Sequence, residues 1–263
     1  MGELEASAAV ILRRTAYGEA DLIVTLLTER FGKVSALARA ARRSKKRFSG
    51  ALETFTVSRI ELRERRGSHL LALTGASVTR SYFSLASDMA RFAPASYATE
   101  LVRELTAGGE PAGAVFRLLV DLYETLTTNP NRFAMRVFEM RLLDYLGLAP
   151  AVDRCVACQR AADDASDGRF LWDPVRGGTV CLTCSGQSHG RGIRPISKDG
   201  IAVLQRAKLT QDVTSADGEG LTDDQIREAR DAMVAMVTAH IGKPLRSLEF
   251  IRKIQGTSNS ARS

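Results

Sequence analysis

No stretch of the chain approaches 18 uncharged apolar residues, which excludes a membrane-crossing helix of ordinary length. There is no glycine-rich phosphate loop, no nucleophile–base arrangement and no carboxylate pair at catalytic spacing. The 3 histidines are scattered, and His69 and His240 read most simply as a strand residue and a helix-end residue. These absences leave a binding protein, not an enzyme, as the default. The N-terminus has no signal-peptide pattern, so the expected compartment is the cytoplasm, with thiols reduced. Acidic residues are missing from a whole stretch: Arg30 to Arg47 holds 8 basic residues and no Asp or Glu.

Cysteine is also scarce, and all 4 residues fall into two pairs, Cys155-Val156-Ala157-Cys158 and Cys181-Leu182-Thr183-Cys184. A CxxC turn sets two thiolates on one side of a tight loop. Two such turns face to face complete a closed four-sulfur shell, the pattern of a structural zinc. The 22 residues between the pairs read as a hairpin. Arg169-Phe170-Leu171-Trp172 is the outgoing strand, Asp173 to Gly178 the turn, and Thr179-Val180 the return. A pair of disulfides is the competing reading, set against it by the reducing compartment; a redox CxxC needs no second pair. Four sulfurs leave no open position for water, so the ion is expected to be structural, not catalytic. His189 lies close in sequence, but four cysteines already suffice.

The chain has 263 residues, enough for two domains with their own cores, and a net charge of +7. Residues 1–80 hold 15 of the 37 Lys/Arg and 8 of the 30 Asp/Glu; the remaining 22 of each cancel. All of the excess positive charge therefore lies in the first third, which points to a polyanion. This third alternates as β-structure, with strands expected over 7–14, 21–28, 33–38, 52–64 and 69–80. Five short strands fit a small closed barrel of the OB type, and periodicity alone leaves an open sheet equally available. The basic run Arg39, Arg42, Arg43, Lys45, Lys46, Arg47 sits between strands, where it is expected to contact nucleic acid. Arg13, Arg14, Lys33, Arg63, Arg65 and Arg66 extend that surface. Phe31 and Phe48 flank the run, where base stacking competes with ordinary core packing.

From Ser84 the pattern turns helical. Helices are expected over 85–107, from Pro111 to Asn129, over 132–148, from a Ser197 cap to Leu209, from a capping box at Thr222 to Gly242, and over 245–254. The 132–148 helix is apolar except for a stripe at Arg132, Arg136 and Glu139, and is expected to be the central one. The fold class is thus α+β and multidomain. A basic OB barrel (1–80) precedes helical segments (81–150 and 191–255) that bracket a four-cysteine zinc-finger module (151–190), with a disordered tail (256–263).

The order Gly18-Glu19, Asp21, Ile23-Val24, Leu26-Leu27-Thr28, Gly32-Lys33, Ser35-Ala36-Leu37-Ala38, followed by Arg42-Arg43-Ser44-Lys45-Lys46-Arg47-Phe48, resembles the N-terminal domain of the RecO family of bacterial DNA repair proteins. The helical remainder and the four cysteines are similar to that family too. Where the family usually has a Gly after the Ala-Lys of its basic loop, this chain reads Ala38-Arg39-Ala40-Ala41, a departure that bears on the local turn. The resemblance implies an OB-fold domain and a helical, zinc-containing domain. It implies a non-enzymatic recombination mediator in the cytoplasm, associated with the nucleoid. Such proteins bind single- and double-stranded DNA, anneal complementary strands, and act with RecR and RecF to load RecA onto strands coated by single-strand-binding protein. The acidic, apolar tail of single-strand-binding protein would dock on the helical part. Arg132 and Arg136 are the first candidate contacts, and Lys243, Arg246, Arg252 and Lys253 around Leu245, Leu248 and Phe250 the second. A basic barrel suits RNA as well as DNA, so a zinc-containing RNA-binding or translation-associated OB protein is the alternative.

Overall fold

A computed structural model describes residues 6–44, 46–65, 67–161, 170–186 and 192–260. The chain divides into two compact units, Met1–Asn129 and Pro130–Ser263.

In the first unit, β1 (Ser7–Tyr17), β2 (Asp21–Thr28), β3 (Gly32–Ala38), β4 (Thr56–Arg63) and β5 (Leu71–Ser81) form a closed barrel in the order β1-β2-β3-β5-β4. Every pairing is antiparallel except β3 with β5, and β4 closes the barrel on β1. Closure decides against the open sheet. The period-two pattern explains the filling: Ala9, Ile11, Val24, Leu26, Ala36, Ala38, Ile60, Leu62 and Leu73 point inward. Phe48 and Leu52, from the connection between β3 and β4, complete that core.

The fourth strand begins at Thr56, four residues later than the alternation predicts. Phe55 has φ +59° and is 2% exposed, so the backbone turns there and the ring buries itself. It packs edge-on against Phe92 and Tyr123, with centroids 5.8 and 5.5 Å away. Those rings belong to α2 (Met89–Leu105) and α3 (Gly113–Thr128), which follow a single-turn α1 (Ser84–Ser87). The one helix expected over 85–107 is therefore two. Asp88 is extended, and its carboxylate accepts the Ala90 N–H at 3.0 Å to start α2 afresh.

The link between α2 and α3 lies over the turn between β2 and β3. Gly32 has φ +65°, and a Cβ built there would fall 1.7 Å from the Glu110 carbonyl oxygen, so only glycine fits. This covers one end of the barrel and leaves the β1–β2 turn at the opposite end exposed.

The second unit is built on α4 (Arg132–Tyr145), capped by Asn131 and buried along most of its length. It packs against α6 (Lys198–Leu209) and α7 (Asp223–Ile241). Ser197 caps α6. Thr222 and Gln225 form the reciprocal capping box of α7, which ends at left-handed Gly242. A small sheet, order β7-β6-β8, is made by β6 (Phe170–Asp173), β7 (Gly178–Cys181) and β8 (Arg194–Ile196) around a fully buried Trp172. A short α5 (Leu182–Ser185) follows β7. The last helix, α8 (Arg246–Ser260), continues past Gly256, where the sequence suggests a disordered tail; a helical glycine costs about 1 kcal/mol and need not end a helix.

Candidate nucleic-acid interface and metal centre

The open end of the barrel gathers the end of β1, the turn into β2, and the connection that leaves β3. Gly18, at φ +60°, makes the turn, and Tyr17 pairs with Asp21 across it. The basic connection is tied onto this turn. Asp21 Oδ1 accepts the Ala40 N–H at 2.7 Å, and the Ala20 carbonyl accepts the Arg42 N–H at 3.0 Å. Arg42 Nη1 donates to the Glu19 carbonyl at 3.0 Å, and Arg43 lies 3.6 Å from the Glu19 carboxylate. Ala40 itself has φ +53°. The left-handed turn is thus kept without glycine, held by the Asp21 hydrogen bond at a steric cost of about 1–2 kcal/mol.

Beyond the turn, Ser44 Oγ accepts the Arg47 N–H at 3.1 Å, and Arg47 Nη2 donates to the Arg39 carbonyl at 2.8 Å. The Arg47 guanidinium lies over the Phe48 ring, 5.2 Å from its centroid. Arg39, Arg42, Arg43, Lys46 and Arg47 are all exposed on the connection that leaves β3 at this end. Arg13 and Arg63 are exposed nearby on β1 and β4, and Arg65 is half-buried. Lys45 and Arg66 lie outside the described residues.

Two other basic side chains are committed elsewhere. Lys33 sits at the covered end, where Nζ donates to the Arg103 carbonyl at 2.6 Å. Burial lowers its pKa from 10.5, with Arg103 adding to that and Glu104 opposing it. Arg14 lies 2.6 Å from Glu53. Of the two flanking phenylalanines, Phe48 belongs to the core and Phe31 packs against it, so core packing accounts for both. An aromatic that the sequence did not single out, Tyr17, stands at the open end and is 55% exposed. Its place just before the Gly18 turn was the available signal.

In the second unit, the segment after α4 lies along β7. Ala151 N–H donates to the Gly177 carbonyl and Val156 N–H to the Thr179 carbonyl, both at 2.9 Å. That pairing brings Cys155 and Cys158 up to Cys181, at the end of β7, and Cys184, in α5. All four sulfurs lie within 4.8 Å of one another. Sulfurs at ~2.3 Å from a tetrahedral ion stand about 3.8 Å apart, and Cys158 Sγ and Cys181 Sγ are 3.8 Å apart. Burial raises the Cys155 thiol, but N–H groups of Cys158, Cys181 and Ala157 outweigh it and bring the pKa down to about 6. Cys184 is pushed up to about 12 through its hydrogen bonds with Cys181 and Cys158. Four crowded thiols cannot all ionise unaided, and a divalent cation at the centre removes that penalty. The donor set fits a closed tetrahedral metal site. His189 lies outside the described residues.

The candidate peptide contacts do not form one surface. Arg132 is exposed and lies 3.0 Å from Asp223. Arg136 is 3% exposed and sits 2.9 Å from Glu139, which is fully buried, so it faces the core and not a docking peptide. In the second group, Leu245 is buried and Phe250 is 43% exposed. No helix among the described residues is long and apolar enough to cross a membrane.

Residues 1–82 match the family described as Recombination protein O N terminal, and residues 86–249 match Recombination protein O C terminal. The chain is 40% identical over 246 residues to a DNA repair protein RecO of Anaeromyxobacter sp. (strain K), covering 93% of this chain and 94% of the relative. It is 32% identical over 248 residues to the RecO of Myxococcus xanthus (strain DK1622), covering 94% and 96%. It is 33% identical over 253 residues to that of Desulfatibacillum aliphaticivorans, covering 95% and 96%. With both halves matched and the relatives aligned along nearly their full lengths, the chain belongs to the RecO family of DNA repair proteins.

Proposed function

We propose that this protein is a recombination mediator that works by binding, not by catalysis. It holds single- and double-stranded DNA at the open end of the barrel and anneals complementary strands. With RecR and RecF as partners, it helps load RecA onto strands coated by single-strand-binding protein. The observation that carries this reading is the basic connection tied onto the Gly18 turn. Five exposed cations, Arg39, Arg42, Arg43, Lys46 and Arg47, share one end of a closed barrel with little acidic charge among them. Their mutual repulsion is relieved when phosphates replace it. Lys45 belongs to the same run, while Arg14 and Lys33 bring ties that DNA would have to break.

The four cysteines hold one structural zinc, whose role when bound is to fix the fold of the small sheet. The tail of single-strand-binding protein docks on the second unit, with Arg132 as a contact.

The test is annealing. Complementary oligonucleotides coated with single-strand-binding protein are mixed with the wild-type chain or with a variant carrying Arg42→Ala, Arg43→Ala and Lys46→Ala. Wild type should speed duplex formation and the variant should not. A wild-type rate equal to that without the protein would contradict the mediator reading.

A further inference from the structure

We propose that Tyr17 is a base-stacking platform that makes the open barrel end prefer single strands over duplex. The inference rests on the DNA-binding reading and deepens it.

Tyr17 is the last residue of β1, pairs with Asp21 and is 55% exposed. The tyrosines at positions 82, 97 and 123 in the same unit are all buried. Residues directly opposed in a ladder share a face. Ala16 opposes Leu22 and Arg14 opposes Val24, which lies in the core, so Tyr17, Thr15 and Arg13 line the other, outer face. The ring therefore belongs to a row that ends in an exposed arginine, and it cannot be needed to fill the barrel.

The ring's surroundings suit a nucleotide. The two residues tied to the 39–47 connection by backbone contacts, Glu19 and Ala20, follow Tyr17 almost directly in sequence. Arg42 and Arg43 are anchored there, one on the Glu19 carbonyl and one beside its carboxylate. Guanidinium groups to take a phosphate are thus anchored on Glu19, two residues along the chain from the aromatic that takes the attached base. Phe48 is spent on the core, which leaves Tyr17 as the described aromatic of this end with a ring open to solvent. The Glu19 carboxylate holds the position that a phosphate oxygen would take against Arg43. A single strand offers unstacked base faces, whereas in a duplex both faces of each internal base are already occupied. Stacking on Tyr17 therefore adds affinity only for the single strand.

Fluorescence anisotropy with a labelled oligothymidine and a labelled hairpin duplex, at one fixed salt concentration, tests this on full-length Tyr17→Ala and Tyr17→Phe variants. Tyr17→Ala should weaken single-strand binding about tenfold and leave duplex binding within about twofold, while Tyr17→Phe keeps wild-type affinity. The salt dependence of single-strand binding should match wild type, because no charge is removed. Unchanged single-strand affinity in Tyr17→Ala, or equal weakening on both substrates, would overturn the proposal and leave the basic interface standing. Failure of the wild-type chain to bind either substrate would instead overturn the underlying DNA-binding reading, and this inference with it.

Discussion

Removing the metal should unfold the small sheet of the second unit and leave the barrel untouched. The sheet has two strands of four residues and one of three. A sheet of that size is marginal alone, even with Trp172 buried at its centre. A structural zinc contributes roughly 10–16 kcal/mol in small modules, against a net stability of about 5–15 kcal/mol for a whole domain. Losing the ion therefore exceeds what the surrounding packing holds in reserve. Without it, the four sulfurs are joined only by weak thiol hydrogen bonds such as that between Cys158 and Cys181. Hydrogen exchange read by mass spectrometry, with and without a strong chelator, measures this directly. The amides of Ala151, Val156 and Thr179, which hold the segment after α4 against β7, should lose protection. The amides of the β1–β2 ladder should not change. Cys158→Ser should behave like the chelated protein, and elemental analysis should find one zinc per chain. Protein purified without chelator that carries no metal and still protects Val156 and Thr179 would refute the reasoning.

Three further outcomes follow from other parts of the molecule. Ala40→Gly relieves a left-handed alanine at a cost of about 1–2 kcal/mol, offset by the greater freedom of glycine in the unfolded chain. Chemical denaturation should show a gain of up to about 1 kcal/mol, and a loss of similar size would contradict the account of that turn. Replacing Arg136 or Glu139 singly strands a buried charge and should cost about 3–5 kcal/mol, while Arg136→Met with Glu139→Leu should recover most of it. Additive losses in the double variant would count against the pair. In the first unit, burial raises Tyr82 from 10.0 to about 12, and burial raises Tyr123 further still. Above pH 10 the unfolded chain releases these protons while the folded one keeps them, so stability should fall as pH rises towards 12. Melting temperatures of wild type and Tyr123→Phe across this range should converge, because the variant lacks one of the two contributions; parallel curves would contradict it.

Where a local signal and the tertiary structure agree, the sequence was a sufficient guide. β2 spans Asp21–Thr28 as its apolar run predicts, α6 starts at its Ser197 cap, and α7 runs from its Thr222 box to Gly242. The two CxxC turns announced the four-sulfur cluster, since ligand spacing is itself a local property. Misreadings arose where a distant partner overrode the local pattern. Phe55 looks like one more strand residue until Phe92 and Tyr123 give its ring a reason to turn inward. Asp88 ends one helix and caps the next, although the apolar spacing runs straight through it. β8 carries too short and too polar a signal to stand alone, and exists because β6 offers it an edge. At the interface, sequence located the basic run but not the direction of each side chain. Lys33 turns to a helix-end carbonyl, and Arg136 turns to Glu139. Ala40 shows the reverse case: the turn survives a residue ill suited to it because Asp21 holds the backbone in place.

The central claim is that the 39–47 connection supplies the phosphate contacts, and the salt dependence of single-strand binding tests it most directly. Each phosphate contact on a single strand contributes a slope of about −0.7 in log K against log salt, so five exposed cations predict about −3.5 for wild type. With Arg42, Arg43 and Lys46 replaced by alanine, two contacts remain and the slope should fall to about −1.4, with affinity reduced alike on every sequence. A variant that is folded, and whose slope equals that of wild type, would contradict the account and move the DNA site off this end of the barrel.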